Sequence, residues 1–151
     1  MVGPEEEEAA ATDLWAATHP VRARLEMRMG IYALEAVTPP RRAAPGRMRA
    51  ARPDEWMALT PWMEGSPVAM AGVSGTTPHG ARVGYVYTPP DRRGRGYAGA
   101  LTAALSRRLL EGGRRFCFLY TNLADPVSNR IYRRLGYGLV TRAAAYRFDE
   151  R

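Results

Sequence analysis

The sequence predicts an α+β (mixed α/β) fold, a twisted mixed sheet with a central βαβ crossover. Three observations predict it. Residues 81–88 alternate as a strand and stop at Pro89 and Pro90, which have no backbone N–H for a ladder. Tyr97, Leu101, Leu105 and Leu109 then recur every fourth residue, an apolar stripe for packing a helix on a sheet. Residues 115–121 (Arg-Phe-Cys-Phe-Leu-Tyr-Thr) are nearly all apolar, as a strand covered on both faces should be. Strand, helix and strand in that order imply parallel pairing and a right-handed crossover.

The chain of 151 residues is expected to form one domain with a substantial core. No apolar run approaches the ~20 residues of a membrane helix, and no apolar segment near Met1 reads as a secretory signal. The single cysteine, Cys117, excludes an internal disulfide and fits a reducing cytoplasm, the expected location. Net charge is +7, and all 22 basic residues are arginine. Such a chain draws anionic ligands. The arginines are scattered, with no basic run interleaved with aromatics, so specific nucleic-acid binding is not the expectation.

Taken in order, residues 1–11 read as a solvated acidic tail (Glu5 to Glu8 in a row), and 12–17 as a short helix broken by His19-Pro20. Residues 27–37 read as a strand and 39–46 as a linker, so 1–45 is an N-terminal extension and 46–151 the main domain. Residues 47–51 are a short strand. Pro53-Asp54-Glu55 opens a helix that must end before Thr60-Pro61. Trp62-Met63 and 68–73 read as two strands around a tight turn at Glu64-Gly65-Ser66, with a second turn at 75–80. The long helix covers about 97–111 and is stopped by Gly112-Gly113. Asp125 and Pro126 start another helix as N-cap and first residue, with Val127, Ile131 and Leu135 as its apolar face and Gly136 as its end. Residues 137–141 and 144–148 close the chain as a hairpin.

The chemistry concentrates after the strand at 81–88. Arg92, Arg93, Gly94, Arg95, Gly96, Tyr97 and Ala98 form a Gly/Arg loop running into a helix N-terminus. Glycines open backbone conformations closed to other residues. The first N–H groups of a helix lack partners inside it, and its dipole favours an anion there. Such a loop is a cradle for phosphate or pyrophosphate. Elsewhere the signals are structural. Cys117 sits in an apolar strand as a core filler, His79 reads as a turn residue, and no His/Cys spacing suits a metal.

Two motifs in order resemble the GNAT acetyltransferase superfamily. Arg93-Gly94-Arg95-Gly96-Tyr97-Ala98 is similar to its Arg/Gln-x-x-Gly-x-Gly/Ala loop, and Tyr132-Arg133-Arg134-Leu135-Gly136-Tyr137 to its Tyr-x-x-Leu-Gly-Phe/Tyr helix ending. The resemblance covers roughly residues 62–148. It implies a GNAT-like sheet and acetyl-CoA as donor. The N–H groups of residues 93–98 would hold the pyrophosphate, with Arg92 adding charge. Val86 and Tyr87 would pair with the pantetheine arm, Tyr132 would stand near the sulfur as acid, and Asn122 and Asn129 would make polar contacts to the cofactor. Two departures follow. Asp125 stands where the family often has asparagine. Only about ten residues separate Arg52 from Trp62, too few for the usual pair of helices of about 11–12 residues each. The N-terminal helix pair is thus shortened, and either the acceptor side is open or the N-terminal segment or a second subunit covers it.

The resulting expectation is an N-acetyltransferase moving acetyl directly from acetyl-CoA to a small-molecule or peptide amine. A non-catalytic CoA-binding module is the second reading and a basic nucleic-acid-binding domain the third. Tyr132 would chiefly stabilise the leaving thiolate, because proton transfer from a tyrosine of pKa ~10 to a thiol of pKa ~8.5 is uphill by roughly 2 kcal/mol. No carboxylate lies on the strands flanking the loop, so amines of low pKa are the easier acceptors.

Overall fold

A computed structural model describes residues 2–41, 44–50, 61–63 and 66–150. Their order is β1 (Val2–Pro4), α1 (Glu5–Thr18), β2 (Val21–Leu34), β3 (Arg47–Met48), β4 (Pro61–Met63), β5 (Ser66–Pro67), β6 (Met70–Thr76), β7 (Gly80–Tyr87), a 3-10 turn (Pro90–Arg92), α2 (Tyr97–Glu111), β8 (Phe116–Asn122), α3 (Pro126–Arg134) and β9 (Gly138–Glu150). Six strands form one sheet in the order β1-β9-β2-β8-β7-β6, and β3, β4 and β5 form a second, small one. In the large sheet only β7 and β8 run parallel, and α2 connects them. The mixed sheet with a βαβ crossover is the architecture expected. Among the described residues no helix is long and apolar enough to cross a membrane.

The crossover forms where the sequence places it. Gly112 caps α2, and Gly113 follows with φ 93°, a conformation natural to glycine. Alternation along β7 and β8 sends Val83, Cys117 and Leu119 to one face. There they pack with Ala103 of α2, Tyr132 of α3, Tyr32 and Leu34 of β2, and Leu135 and Tyr137. A second cluster joins Tyr97 and Leu101 of α2 to Val68, Ala69 and Ala71. Tyr137 is buried by the same core and hydrogen-bonds Ser106 of α2 across 2.7 Å, so its hydroxyl is not orphaned there.

The N-terminal part differs from expectation. Residues 2–4 pair with β9, and the helix begins at Glu5 instead of Thr12. β2 starts at Val21 and ends at Leu34, earlier than the apolar residues alone suggest. Its first half carries charged, exposed side chains, and pairing with β9 makes it a strand. This strand lies between β8 and β9 and hydrogen-bonds on both edges. A boundary at residue 45 therefore coincides with no break in the sheet.

Two further corrections concern hairpins. Residues 138–150 are one continuous strand with no turn at Arg142-Ala143, because β2 runs beside it from Val21↔Glu150 to Ala33↔Gly138. Bulges at Leu25/Met27 and Ile31/Tyr32 absorb the irregularity. The hairpin partner of Trp62-Met63 is Ser66-Pro67, while 70–76 joins the large sheet against β7. The helix expected from Pro53 lies outside the described residues.

Candidate active site

The site begins with a strand that leaves its neighbour. β7 pairs with β8 only at Gly80↔Phe116, Ala81↔Cys117 and Arg82↔Phe118. Its other edge stays on β6 as far as Met70↔Tyr87. Between Gly72↔Gly84 and Met70↔Tyr87, Tyr85 and Val86 stand opposite Ala71 alone, which makes a β-bulge. Tyr85 holds φ 54°, the one non-glycine residue with positive φ among those described. Such a backbone costs of order 1–3 kcal/mol and persists only where its surroundings impose it. The ladder with β8 has already ended at Arg82, so Val86 and Tyr87, beyond the bulge, make no pair with β8.

A cleft of about 1000 Å³ opens beside this strand end, between the loop after β7, the start of α2, one face of α3 and the segment after β2. Val86, Tyr87, Thr88, Arg92, Arg93, Gly94, Gly96, Tyr97, Ala98 and Gly99 form one side of it. The Arg93 Nε donates to the Thr88 carbonyl at 3.1 Å and folds the loop back on the strand. Arg92 pairs with Asp91 at 3.0 Å. Gly94 and Gly96 have φ of 75° and 84°, and a Cβ added to either would meet nothing within 4 Å. Glycine is therefore required by the backbone here, and the space above both is open. Gly96 is the N-cap of α2 and offers no side-chain oxygen to the first turn. The N–H groups of Ala98 and Gly99 belong to that turn, where no helical partner exists. Arg95 is exposed and does not line the cleft.

The opposite wall comes from α3. Its cleft-lining residues Val127, Arg130, Ile131 and Arg134 follow the i, i+3, i+4, i+7 spacing of one helical face. Of the expected apolar stripe, Leu135 lies in the core and Ile131 packs against it, while Val127 is 54% exposed on the cleft face; within α3 the buried residues are Asn129 and Tyr132. Thr38, Pro39, Pro40 and Arg41 complete the wall. Thr38 N–H donates to the Leu135 carbonyl at 2.9 Å, and Gly136, at φ 97°, lets the segment approach. From the sequence, Pro39, Pro40 and Arg41 read as part of a linker, and Val127 and Ile131 as part of an apolar helix face. The arginines three residues after each of them were the missed signal. Five arginines line the cleft against one carboxylate, Asp125.

Asp125 is occupied as a cap. One carboxylate oxygen accepts from the N–H of Val127 (2.9 Å) and Ser128 (3.2 Å), the other from the Ser128 hydroxyl (2.6 Å). The Ser128 hydroxyl, and then its N–H, hold the Asp125 carboxyl below the usual carboxylate range. Tyr132 lines the cleft yet is only 9% exposed, with its ring edge-on to Tyr137 at 6.0 Å. Burial, and then the nearby Asp125 charge, push its hydroxyl above the ordinary tyrosine range, so it stays a donor. Asn122 and Asn129 do not line the cleft. The Asn129 amide donates to the carbonyls of Asn122 (2.9 Å) and Asp125 (2.6 Å), and Asn122 Oδ1 accepts from Ala124 N–H. Both hold the turn that aims α3, while Asn129 Oδ1 is buried without a partner. Burial pushes the Cys117 thiol up to about 11, leaving an unreactive core sulfur. No group of metal-ligating side chains occurs among the described residues.

The FR47-like protein family model matches residues 62–147. The chain belongs to that family. Its strand-bulge-loop-helix site and the motifs at Arg93 and Tyr132 place it within the GNAT superfamily. Solved structures agree on the fold. A GCN5-related N-acetyltransferase from Kribbella flavida is 21% identical, with a TM-score of 0.71 over 94% of this chain and 65% of that one. A GCN5-related N-acetyltransferase from Sphaerobacter thermophilus is 19% identical (TM-score 0.65; 94% of this chain, 56% of that one). A Drosophila protein is 14% identical (TM-score 0.75; 95% and 58%). This FR47-like chain thus spans between 56% and 65% of the length of these three. No protein of curated function matches it.

Proposed function

We propose that this chain is an N-acetyltransferase that moves an acetyl group from acetyl-CoA directly to an amine. One observation carries the reading. The bulged end of β7, unpaired toward β8, and the Gly94/Gly96 loop at the α2 N-terminus open into the same cleft that Tyr132 lines. The donor fits what is there. A pyrophosphate suits open space above two glycines, helix N–H groups and the Arg92 and Arg93 charges. An extended amide-bearing arm suits the unpaired backbone of Val86 and Tyr87. Asn129 and Asn122 stand outside the cleft and act on the site through the turn that they share and that aims α3.

In the reaction the amine nitrogen attacks the thioester carbon, a C–N bond forms and the C–S bond breaks. CoA leaves as the thiolate with the bonding pair. Tyr132 donates a hydrogen bond to that sulfur and stays protonated, since burial makes full transfer more uphill than for an ordinary tyrosine. The thiolate takes its proton from solvent, and the nitrogen releases its surplus proton to water. Asp125 is ill suited as base because both of its oxygens are occupied and its pKa is lowered. That absence favours amines of low pKa, and equally favours a second reading, a CoA-binding module without turnover. Calorimetry with acetyl-CoA tests the donor, and thiol release over a panel of amines separates enzyme from binder. No heat with acetyl-CoA at millimolar concentration would overturn both readings. The buried cysteine thiol suits a reducing compartment, and we assign the protein to the cytoplasm on that ground.

A further inference from the structure

The face of the sheet turned away from α2 and α3 carries an arginine that meets no carboxylate among the described residues. Ala81 and Val83 are buried in the core, so Arg82 between them points to the opposite face. On β8 the same alternation puts Phe116, Phe118 and Tyr120 on that face, their rings in series at 6.1 and 6.2 Å. The Arg82 guanidinium lies over the Tyr120 ring, 5.2 Å from its centroid. Its Nε donates to Ser74 Oγ at 2.7 Å, and Ser74 returns its own proton to the Arg82 carbonyl at 3.4 Å. Gly84 leaves the room for this, since a Cβ there would stand 2.5 Å from Ser74 Oγ. Serine, glycine and tyrosine fix the plane of the guanidinium while its two Nη groups remain. No carboxylate pairs with it among the described residues.

Its place gives this arrangement a meaning. Arg82↔Phe118 is the last pair before β7 leaves β8, so Arg82 stands at the apex of the wedge. Tyr120 lies two residues beyond on the diverging strand, and the guanidinium leans over it toward the opening. The donor cleft is walled by α2, α3 and the 38–41 segment on the helix side. The far face of the wedge lies on the other side of the sheet at the same strand end, and Tyr120 there is 39% exposed.

We propose that Arg82 is the acceptor anchor: it binds a carboxylate on the incoming amine, so that the substrates are amines that also carry a carboxylate. This rests on the acetyltransferase reading of the cleft. A guanidinium with two Nη groups free matches a carboxylate with two parallel hydrogen bonds, and an aromatic ring beneath it keeps the fork in plane. The net charge of +7 adds attraction for an anionic acceptor and none for a cationic diamine.

The test uses the full chain and matched probes: glycine with glycinamide, β-alanine with β-alaninamide, γ-aminobutyrate with its amide. The amides carry the more easily deprotonated amine, so chemistry alone favours them and a preference for the acids isolates the anchor. The expected result is a KM at least tenfold lower for the best acid than for its amide. In Arg82→Gln the acid's KM rises at least tenfold, the amide's stays within twofold and acetyl-CoA affinity is unchanged. Arg82→Lys restores part of the acid preference, and Ser74→Ala gives a smaller loss in the same direction. Binding of the same probes to the CoA complex, followed by calorimetry, shows the same acid preference without needing turnover. If acetyl-CoA binds and acids and amides bind alike, or Arg82→Gln weakens both equally, the anchor is overturned. Failure to bind acetyl-CoA instead overturns the reading of the cleft.

Discussion

Tyr132 is a hydrogen-bond donor by environment. Burial raises its pKa, and the Asp125 charge adds to the shift, so the hydroxyl keeps its proton where an exposed tyrosine would begin to lose it. Acetyl transfer should therefore show no loss from Tyr132 ionisation in the range where an exposed tyrosine begins to ionise, and should rise with pH as the acceptor amine deprotonates. Tyr132→Phe keeps the ring against Tyr137 and removes the donor. Turnover with saturating acetyl-CoA should fall by about 10²-fold, the low end for general-acid assistance, with acetyl-CoA affinity unchanged by calorimetry. Full turnover in that variant would end the role. Asp125 is a second case of environment setting role. Its folded pKa is lowered by the Ser128 contacts, so its stabilisation is present above the unfolded carboxylate pKa and is lost as pH falls through the folded value. Asp125→Ala should cost about 1 kcal/mol at pH 7, the worth of an N-cap. The gap from the parent should close on acidification, which urea melts at pH 7 and pH 3 would show.

At the scale of elements, the bulge in β7 matters more than any one of its side chains. A strand that stayed on β8 beyond Arg82 would leave Val86 and Tyr87 hydrogen-bonded and the cleft shut. Tyr85 at φ 54° marks the place where β7 leaves the regular strand. Replacing it with valine puts a β-branched residue into left-handed backbone and should cost about 2 kcal/mol, while Tyr85→Gly removes the strain. If the bulge opens the cleft, Tyr85→Gly keeps acetyl-CoA affinity and Tyr85→Val loses it along with thermal stability. Equal melting temperatures for the two variants would show that the backbone there is unstrained. α3 shows the same dependence on context. Its sequence offers an apolar stripe at Val127, Ile131 and Leu135, yet only Leu135 and part of Ile131 meet the core, while Val127 faces the cleft and Asn129 is buried. A buried amide is tolerable because its donors reach the carbonyls of Asn122 and Asp125 in the preceding turn.

Across the whole molecule, the legible part was the part written in local pattern. The 81–122 crossover follows from proline stops, a four-residue leucine stripe and one apolar run, and its bounds hold almost to the residue. The loop at Gly94 and the N-cap at Asp125 were legible because glycine and capping acids act within a few residues. What was not legible depends on partners distant in sequence. β2 is polar and exposed over its first half and becomes a strand through pairing with β9, more than a hundred residues later. The 38–41 segment becomes a cleft wall only because Thr38 reaches Leu135. This makes the N-terminal segment a structural partner of the site. Removing residues 1–45 takes out the strand between β8 and β9 and bares both of their edges. The remaining 46–151 should lack a cooperative urea transition and near-ultraviolet dichroism. A milder probe is Gly30→Ala, since a Cβ there would stand 2.5 Å from the Tyr32 ring and 3.0 Å from Leu123. Tyr32 is fully buried between the sheet and α3, so the ring has little room to yield and the cost should be about 1–3 kcal/mol. Cooperative unfolding of 46–151, together with a neutral Gly30→Ala, would make residues 1–45 dispensable; loss in both places β2 in the core that holds Tyr132.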